Sequence, residues 1–470
     1  MPQKGARRLL FYIESLVLFK NLKEAPFFAP FYRLLSRIAQ LEESITSVPL
    51  HLPDKIGLIR LWTDVMHFVL SEERSLHELI IDFILHDENP LTLAAEALAP
   101  ESGHIAGDKT QRGKSLAPAL LEQARLDLLY LQTIASCTTV ELIEPILSLF
   151  SDRLTLDISQ RIKKEEAILS HFFRHSGEHP LFPSHKSWDT ALEGLLAYWK
   201  SEGVGHLGKH SFLVWKPEEE MPLQPALLPD PIRLSQLFGY EAQRAIVLAN
   251  TRRFISGHRA NNLLLYGDRG TGKSATVKAV CNEFAGEKLR LVSVDKQHLQ
   301  DYPRIIKTLS DRPYRFILYI DDLSFETLDD SYTGLKALLE GGVNQRPDNV
   351  VIYATSNRRH LVRESRADRP DTAAAAAAIE SGDMRAFDTM QEQLSLADRF
   401  GLTVVFSTPG QEEYLTIVQK IAQERGLTIP GTTLREQALR WEKWFNGRSP
   451  RSARQFVDWI EGGMDFPWDS

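Results

Sequence analysis

The chain has 470 residues, 43% of them apolar and 25% charged, with a formal charge of -7. That length exceeds what one core usually serves, so several domains are expected, and the composition excludes wholesale disorder. The acidic balance offers no whole-molecule attraction to nucleic acid or anionic membrane, leaving room only for a local basic groove, and two cysteines, Cys137 and Cys281, exclude a disulfide framework or a cysteine-rich metal site.

From Lys4 to Lys20 an apolar run is interrupted by Glu14, which reads as an amphipathic helix rather than a leader. No stretch approaches the roughly 20 apolar residues that cross a bilayer, so a cytoplasmic protein without a membrane span is expected. Apolar residues at spacings of three and four, such as Leu34, Leu35, Ile38 and Leu41, predict a mainly helical N-terminal domain over 1–205. Its helical patterns run through 56–70, 76–86, 118–149, 156–172 and 186–200. The aromatic group Phe27, Phe28, Phe31 and Tyr32 reads as core, with a partner surface as the alternative.

Glycines at 203, 205 and 208 and the proline-containing segment Pro217 to Pro231 predict a linker or junction over 206–232, with a short strand-like run at Ser211 to Trp215. A helix follows over Tyr240 to Phe254. Apolar strands are expected at Asn262 to Tyr266, Arg315 to Ile320, Asn349 to Thr355 and Leu402 to Phe406. Strands alternating with helices predict an α/β domain over 233–410 built on a mainly parallel sheet. The polar segment Arg363 to Met384, with its run Ala373 to Ala378, reads as a mobile insertion, and 411–470 as a small helical lid.

One segment carries chemistry by itself. Gly267-Asp-Arg-Gly-Thr-Gly-Lys-Ser274 matches G-x-x-x-x-G-K-[ST] in full, between a strand and a helix beginning near Lys273. The glycines let successive N–H groups curl around phosphate oxygens, and the helix N-terminus adds its positive end. Candidate nucleotide contacts are Gly267, Asp268, Arg269, Gly270, Thr271, Gly272, Lys273, Ser274 and Ala275. Lys273 would neutralise the outer phosphates, while Ser274 and Asp321 would hold magnesium. Ile317-Leu-Tyr-Ile-Asp-Asp322 is an apolar strand closed by two carboxylates, with Asp322 placed to polarise an attacking water. ATP and Mg2+ are therefore the expected cofactors, and the histidines show no zinc-ligand spacing.

In this order the features resemble the AAA+ ATPase superfamily, most closely a bacterial family known as domain of unknown function 815. The resemblance is carried by Leu237-Phe-Gly-Tyr-Glu241, Asn250-Thr251, Ala260 to Gly267, Asp321 to Phe325, Ser356 to His360, Leu394 to Gly401 and Arg451 to Phe456, within 233–460. It implies an AAA+ P-loop NTPase core with a parallel sheet and a C-terminal helical lid, and it implies ATP hydrolysis. Carried over onto matching positions, Asn357 becomes the residue that orients the lytic water, and Arg399 an arginine finger reaching a neighbouring subunit. Arg454 becomes a lid sensor, with Arg451 three residues away as its rival. The segment Arg233 to Gly239 would pass over the adenine, with Leu237, Phe238 and Tyr240 as apolar contacts or as core residues. Many relatives carry glutamate where this chain has Asp322, a departure that bears on the speed of turnover more than on binding.

The function so implied is a ring- or filament-forming ATPase that remodels a macromolecular client, a protein being one candidate. One alternative is a nucleic-acid-associated ATPase resembling replication initiators or loaders, for which Arg358, Arg359, His360 and Arg363 are the obvious basic cluster, a phosphate-edge or intersubunit role for these residues being equally open. Another is a nucleotide-controlled scaffold or signalling protein.

Overall fold

The computed structural model describes residues 5–44, 51–98, 116–150, 156–174, 178–219, 221–323, 347–357, 399–445 and 447–463. The insertion Arg363 to Met384, the cluster Arg358, Arg359, His360 and Arg363, and the residues of the Leu394 to Gly401 motif before Arg399 lie outside them. The described residues up to Lys209 form one compact unit, and the described residues from His210 onward form a second.

The first unit is helical: α1 (Gly5–Glu14), α2 (Ala29–Ser44), α3 (Leu52–Ser71), α4 (Leu76–His86), α5 (Pro90–Ala97), α6 (Pro118–Ala135), α7 (Thr139–Leu149), α8 (Leu156–Phe172), α9 (Leu192–Glu202) and α10 (Gly205–Lys209). Helix starts are written locally: Ser75 and Glu78 cap α4 reciprocally, the Ser75 N–H reaching Glu78 Oε2 at 2.8 Å. The single helix expected over 118–149 is two. The chain breaks at Ser136 to Thr138, where the Thr138 N–H is taken by Glu141 Oε2 at 3.0 Å, restarting the helix as α7. Phe28 and Phe31 are buried, and Phe31 stacks on Phe172 at 5.4 Å, so these rings belong to the core. Asp127, fully buried on α6, is satisfied by the N–H groups of Val17, Leu18 and Phe19 at 3.1, 2.7 and 3.2 Å, which shapes the turn after α1.

The second unit holds a seven-stranded sheet of β1 (Phe212–Trp215), β2 (Leu223–Pro225), β3 (Leu263–Gly267), β4 (Leu289–Ser293), β5 (Arg315–Ile320), β6 (Val350–Ser356) and β7 (Leu402–Phe406). Their order is β2-β1-β4-β5-β6-β3-β7; only β1 and β2 run antiparallel. The interval 206–232, expected as a junction, therefore carries two strands of the sheet itself, because β1 finds a parallel partner in β4. Between β3 and β5 lie α12 (Lys273–Glu283) and α13 (Tyr302–Leu309), and α11 (Glu241–Ile255) precedes β3. Helices α14 (Gln411–Glu424), α15 (Gly431–Trp444) and α16 (Pro450–Glu461) close the chain around their own core of Tyr414, Ile417, Trp441 and Phe456.

One face of the sheet, with Leu263, Leu265, Ile317, Tyr319, Val351 and Val404, packs on Val247 and Phe254 of α11 and Val277 and Val280 of α12. Residues of the opposite face, such as Leu264, Leu318, Ile320 and Ile352, are buried too, so these strands read as continuous apolar runs. Each such side chain contributes roughly 1.5–3 kcal/mol when removed from water. The pair Asn250-Thr251 has a structural explanation: both side chains meet the buried Tyr353 hydroxyl, at 3.2 and 2.7 Å, beneath the sheet. Among the described residues no single helix is long and apolar enough to cross a membrane.

Candidate functional site

Parallel strands bring their carboxyl ends to one edge, and the loops leaving that edge form the ligand site of an open sheet. Here β3 runs into the phosphate loop, β5 into Asp321 and Asp322, β6 into Asn357, and β7 into the connection to α14. They converge on a cleft of about 550 Å³ roofed by lid residues.

Gly267 enters the loop at φ 141°, and a Cβ there would stand 2.0 Å from the Phe406 carbonyl oxygen of β7, so no side chain fits. Gly270 and Gly272 are also left-handed, at φ 78° and 90°, and α12 starts directly at Lys273. Arg269 through Ala275 all line the cleft, whereas Gly267 and Asp268 are not among its lining residues. Lys273 is only 5% exposed; its ammonium donates to the carbonyls of Gly267 and Asp268 at 2.9 and 2.7 Å. Burial pushes its pKa down to about 8, against the opposing fields of Asp268, Asp322 and Asp321.

The acidic pair is tied to the loop. Ser274 Oγ donates to Asp321 Oδ1 at 2.8 Å, and Thr355 Oγ1 donates to the same oxygen at 2.6 Å. Burial raises the Asp321 pKa, but the hydrogen bonds led by Thr355 outweigh it and hold the carboxyl below its usual range. The Asp322 N–H donates to Thr355 Oγ1 at 2.9 Å, its backbone is left-handed at φ 50°, and its Oδ1 accepts from Asn357 Nδ2 at 2.5 Å. Ser274, Asp321, Asp322 and Asn357 thus form one connected row beside Lys273, with Thr355 as the joint that sequence reasoning missed. The only signal for Thr355 was a hydroxyl two residues before Asn357 at the strand end.

The other end of the cleft is apolar, with Ile232, Leu237, Phe238 and Tyr240 from the core side facing Ile417 and Ile421 of α14. Tyr240 lies against Phe406 at 5.2 Å and donates its hydroxyl to the Ser407 carbonyl at 2.6 Å. Arg244, another wall residue not expected from sequence, donates to the Gly239 carbonyl, and burial lowers its pKa. Both lid arginines line the cleft. The Arg451 N–H donates to the Gly270 carbonyl at 3.2 Å and its charge acts on Lys273, while Arg454 donates to the Gln236 carbonyl at 3.2 Å on the apolar side. Arg451 is therefore the one nearer the loop, while Arg454, the residue preferred from sequence, lines the same cleft on its apolar side.

Arg399 is not in this cleft. It precedes β7 by three residues, at the amino end of a strand that pairs in parallel with β3, whereas the phosphate loop leaves the carboxyl end of β3. Five residues of strand, roughly 17 Å, separate the two ends.

The cleft can hold a charged chain and a flat apolar group end to end: N–H groups, an ammonium and a guanidinium at one end, aliphatic and aromatic walls at the other. Lys273 gives this arrangement a pH signature. An anion bound beside the ammonium raises its pKa, so below about pH 8 the free protein already carries the charge and affinity is flat. Above about 8 the free form loses its proton first, and affinity for a phosphate-bearing ligand should fall by up to about tenfold per pH unit. Isothermal titration at pH 7, 8 and 9 reads this directly, and a flat profile would mean that Lys273 stays protonated throughout.

Comparison with known proteins gives no match among curated sequences. Among solved structures, the chain is similar to the Thermotoga maritima RuvB Holliday junction branch migration motor, at 16% identity and TM-score 0.33, over 49% of this chain and 65% of that one. It is similar also to the replication initiator DnaA bound to AMPPCP and single-stranded DNA (15%, TM-score 0.35, 50% and 66%) and to Aeropyrum pernix ORC1 in complex with DNA (16%, TM-score 0.35, 49% and 62%). The chain thus spans less than two thirds of the length of each. A family model described as "Protein of unknown function (DUF815)" matches residues 208–464, the sheet, the cleft and the lid together. The chain belongs to this DUF815 family.

Proposed function

We propose that the protein binds ATP with magnesium and hydrolyses it to ADP and phosphate. The observation that carries this reading is the connected row Ser274–Asp321–Thr355–Asp322–Asn357 beside the buried Lys273. Among the described residues no group of three or more His, Cys, Asp or Glu forms a self-sufficient metal site. That fits magnesium, which takes one or two protein oxygens and completes its shell with phosphate and water. Ser274 and Asp321 would hold the ion, Asp322 would polarise the attacking water, and Asn357, already on Asp322, would orient it. Arg451 would meet the outer phosphate, and Arg454 would close the lid over the segment at Gln236. Phosphate release measured with and without magnesium tests this. Wild type should turn over, Asp321→Ala should lose the magnesium dependence, and Asp322→Asn should bind ATP while losing hydrolysis. Turnover by Asp322→Asn equal to wild type would remove that carboxylate from the chemistry.

The position of Arg399 supports an assembly. A side chain at the opposite end of the sheet from its own cleft can act only on a neighbour's, so a ring or filament of this chain would place Arg399 against the next subunit's γ-phosphate. Hydrolysis in such an assembly would drive remodelling of a client. The same assay separates the client classes: release that rises with single- or double-stranded DNA assigns a nucleic-acid client, and release indifferent to DNA directs attention to a protein. ATP binding with ordered assembly but without turnover would instead favour a nucleotide-controlled scaffold.

A further inference from the structure

Asp268 is the only carboxylate in the loop 267–275, and a negative charge there opposes the phosphates that the loop is shaped to hold. Its side chain is engaged elsewhere. Asp268 Oδ2 accepts the Thr408 N–H at 3.0 Å and the Thr408 hydroxyl as well, and Asp268 does not line the cleft. Thr408 reaches it because β7 lies beside β3: Gly267 pairs with Phe406, and the Asp268 N–H donates to the Phe406 carbonyl at 3.1 Å. The backbone leaving β7 is pinned from the apolar side too, by the Tyr240 hydroxyl on the Ser407 carbonyl. The segment that leads to the lid is thus bonded on one side to the phosphate loop and on the other to a wall of the apolar pocket.

We propose that Thr408 is a positioning residue for triphosphate binding, its two donors holding the Asp268 carboxylate outside the phosphate cradle. This rests on the reading of the loop as an ATP site. Removing the hydroxyl takes away one of the two Thr408 donors and weakens the hold on the carboxylate outside the loop. The resulting repulsion grows with the charge of the ligand, so ATP suffers more than ADP. A charge-assisted hydrogen bond at an exposed position sets the scale at about fivefold in affinity.

The test is isothermal titration of the full chain with magnesium-ATP and magnesium-ADP, for wild type, Thr408→Val and Thr408→Ser, and for Asp268→Asn with and without Thr408→Val. The expected result is that Thr408→Val weakens ATP binding about fivefold and ADP binding less, that Thr408→Ser binds as wild type, and that Thr408→Val adds nothing in the Asp268→Asn background. Wild-type affinity in Thr408→Val, equal losses for ATP and ADP, or a loss that persists in the Asp268→Asn background would each overturn the proposal. Lys273→Ala run alongside separates the two levels: if it binds ATP as wild type does, the ATP-site reading itself fails, whereas its loss beside a silent Thr408→Val overturns only the role of Thr408.

Discussion

Lys273→Ala is expected to weaken ATP binding by a factor of about a hundred or more. The ammonium is the one cation buried within the loop, held over the carbonyls of Gly267 and Asp268, and a phosphate oxygen brought to it would gain charge-assisted hydrogen bonds in partly dehydrated surroundings. Two such bonds, at roughly 1.5–3 kcal/mol each, account for that factor. Lys273→Met keeps the aliphatic stem and removes only the charge, so it should show the same loss. Both variants remove the ammonium donor from the Gly267 and Asp268 carbonyls, the latter keeping the Thr271 hydroxyl at 2.8 Å, which should lower the melting temperature by a few degrees at most. Isothermal titration with magnesium-ATP measures the first effect, and an affinity within about threefold of wild type in both variants would refute the assignment of the loop.

Arg399→Ala is expected to leave ATP binding to the single chain close to wild type and to lower turnover of the assembled protein by about a thousandfold or more, the scale on which an arginine finger acts. The split follows from the roughly 17 Å of β7 between Arg399 and the carboxyl edge of the sheet, which keeps the guanidinium from its own phosphates. The decisive measurement mixes Arg399→Ala with Lys273→Ala. Neither alone should release phosphate at a useful rate, but mixed assemblies should regain activity wherever an intact loop meets an intact neighbouring arginine. Mixed oligomers confirmed by native mass spectrometry without recovered phosphate release would exclude action across an interface. Full activity of a strictly monomeric wild type would exclude it as well.

How much of this was legible in the residues depends on the range of the interactions involved. The phosphate loop is written locally: three glycines that permit left-handed backbone, a lysine and a serine, all within eight positions between an apolar run and a helix. Strands β5 and β6 were equally visible, because a strand buried on both faces must be apolar along its length, and β7, where exposed Thr403 and Val405 alternate with buried Val404 and Phe406, was visible as a short β-branched and aromatic run. Strand β4 was not, since Arg290 interrupts its run; that guanidinium is accommodated over the Tyr314 ring at 4.7 Å and on the Ala285 carbonyl at 2.9 Å, partners supplied only by the fold. The break between α6 and α7 was hidden for the converse reason, apolar spacing continuing across a local change of hydrogen-bond partner.

The candidate site divides in the same way. Sequence alone named Lys273, Ser274, Asp321, Asp322 and Asn357, because each follows a recognisable strand or loop. It could not show that Thr355 joins them, that Thr408 holds Asp268, that Arg451 stands nearer the loop than Arg454, or that Arg399 lies at the far end of its strand from the cleft. Three of those facts depend on which strands lie side by side and in which direction they run, and that of the two arginines depends on how the lid helix docks on the loop. Motif chemistry is set by neighbours in the chain, whereas strand order and parallel pairing are set by burial across the whole sheet, and only the tertiary structure decides them.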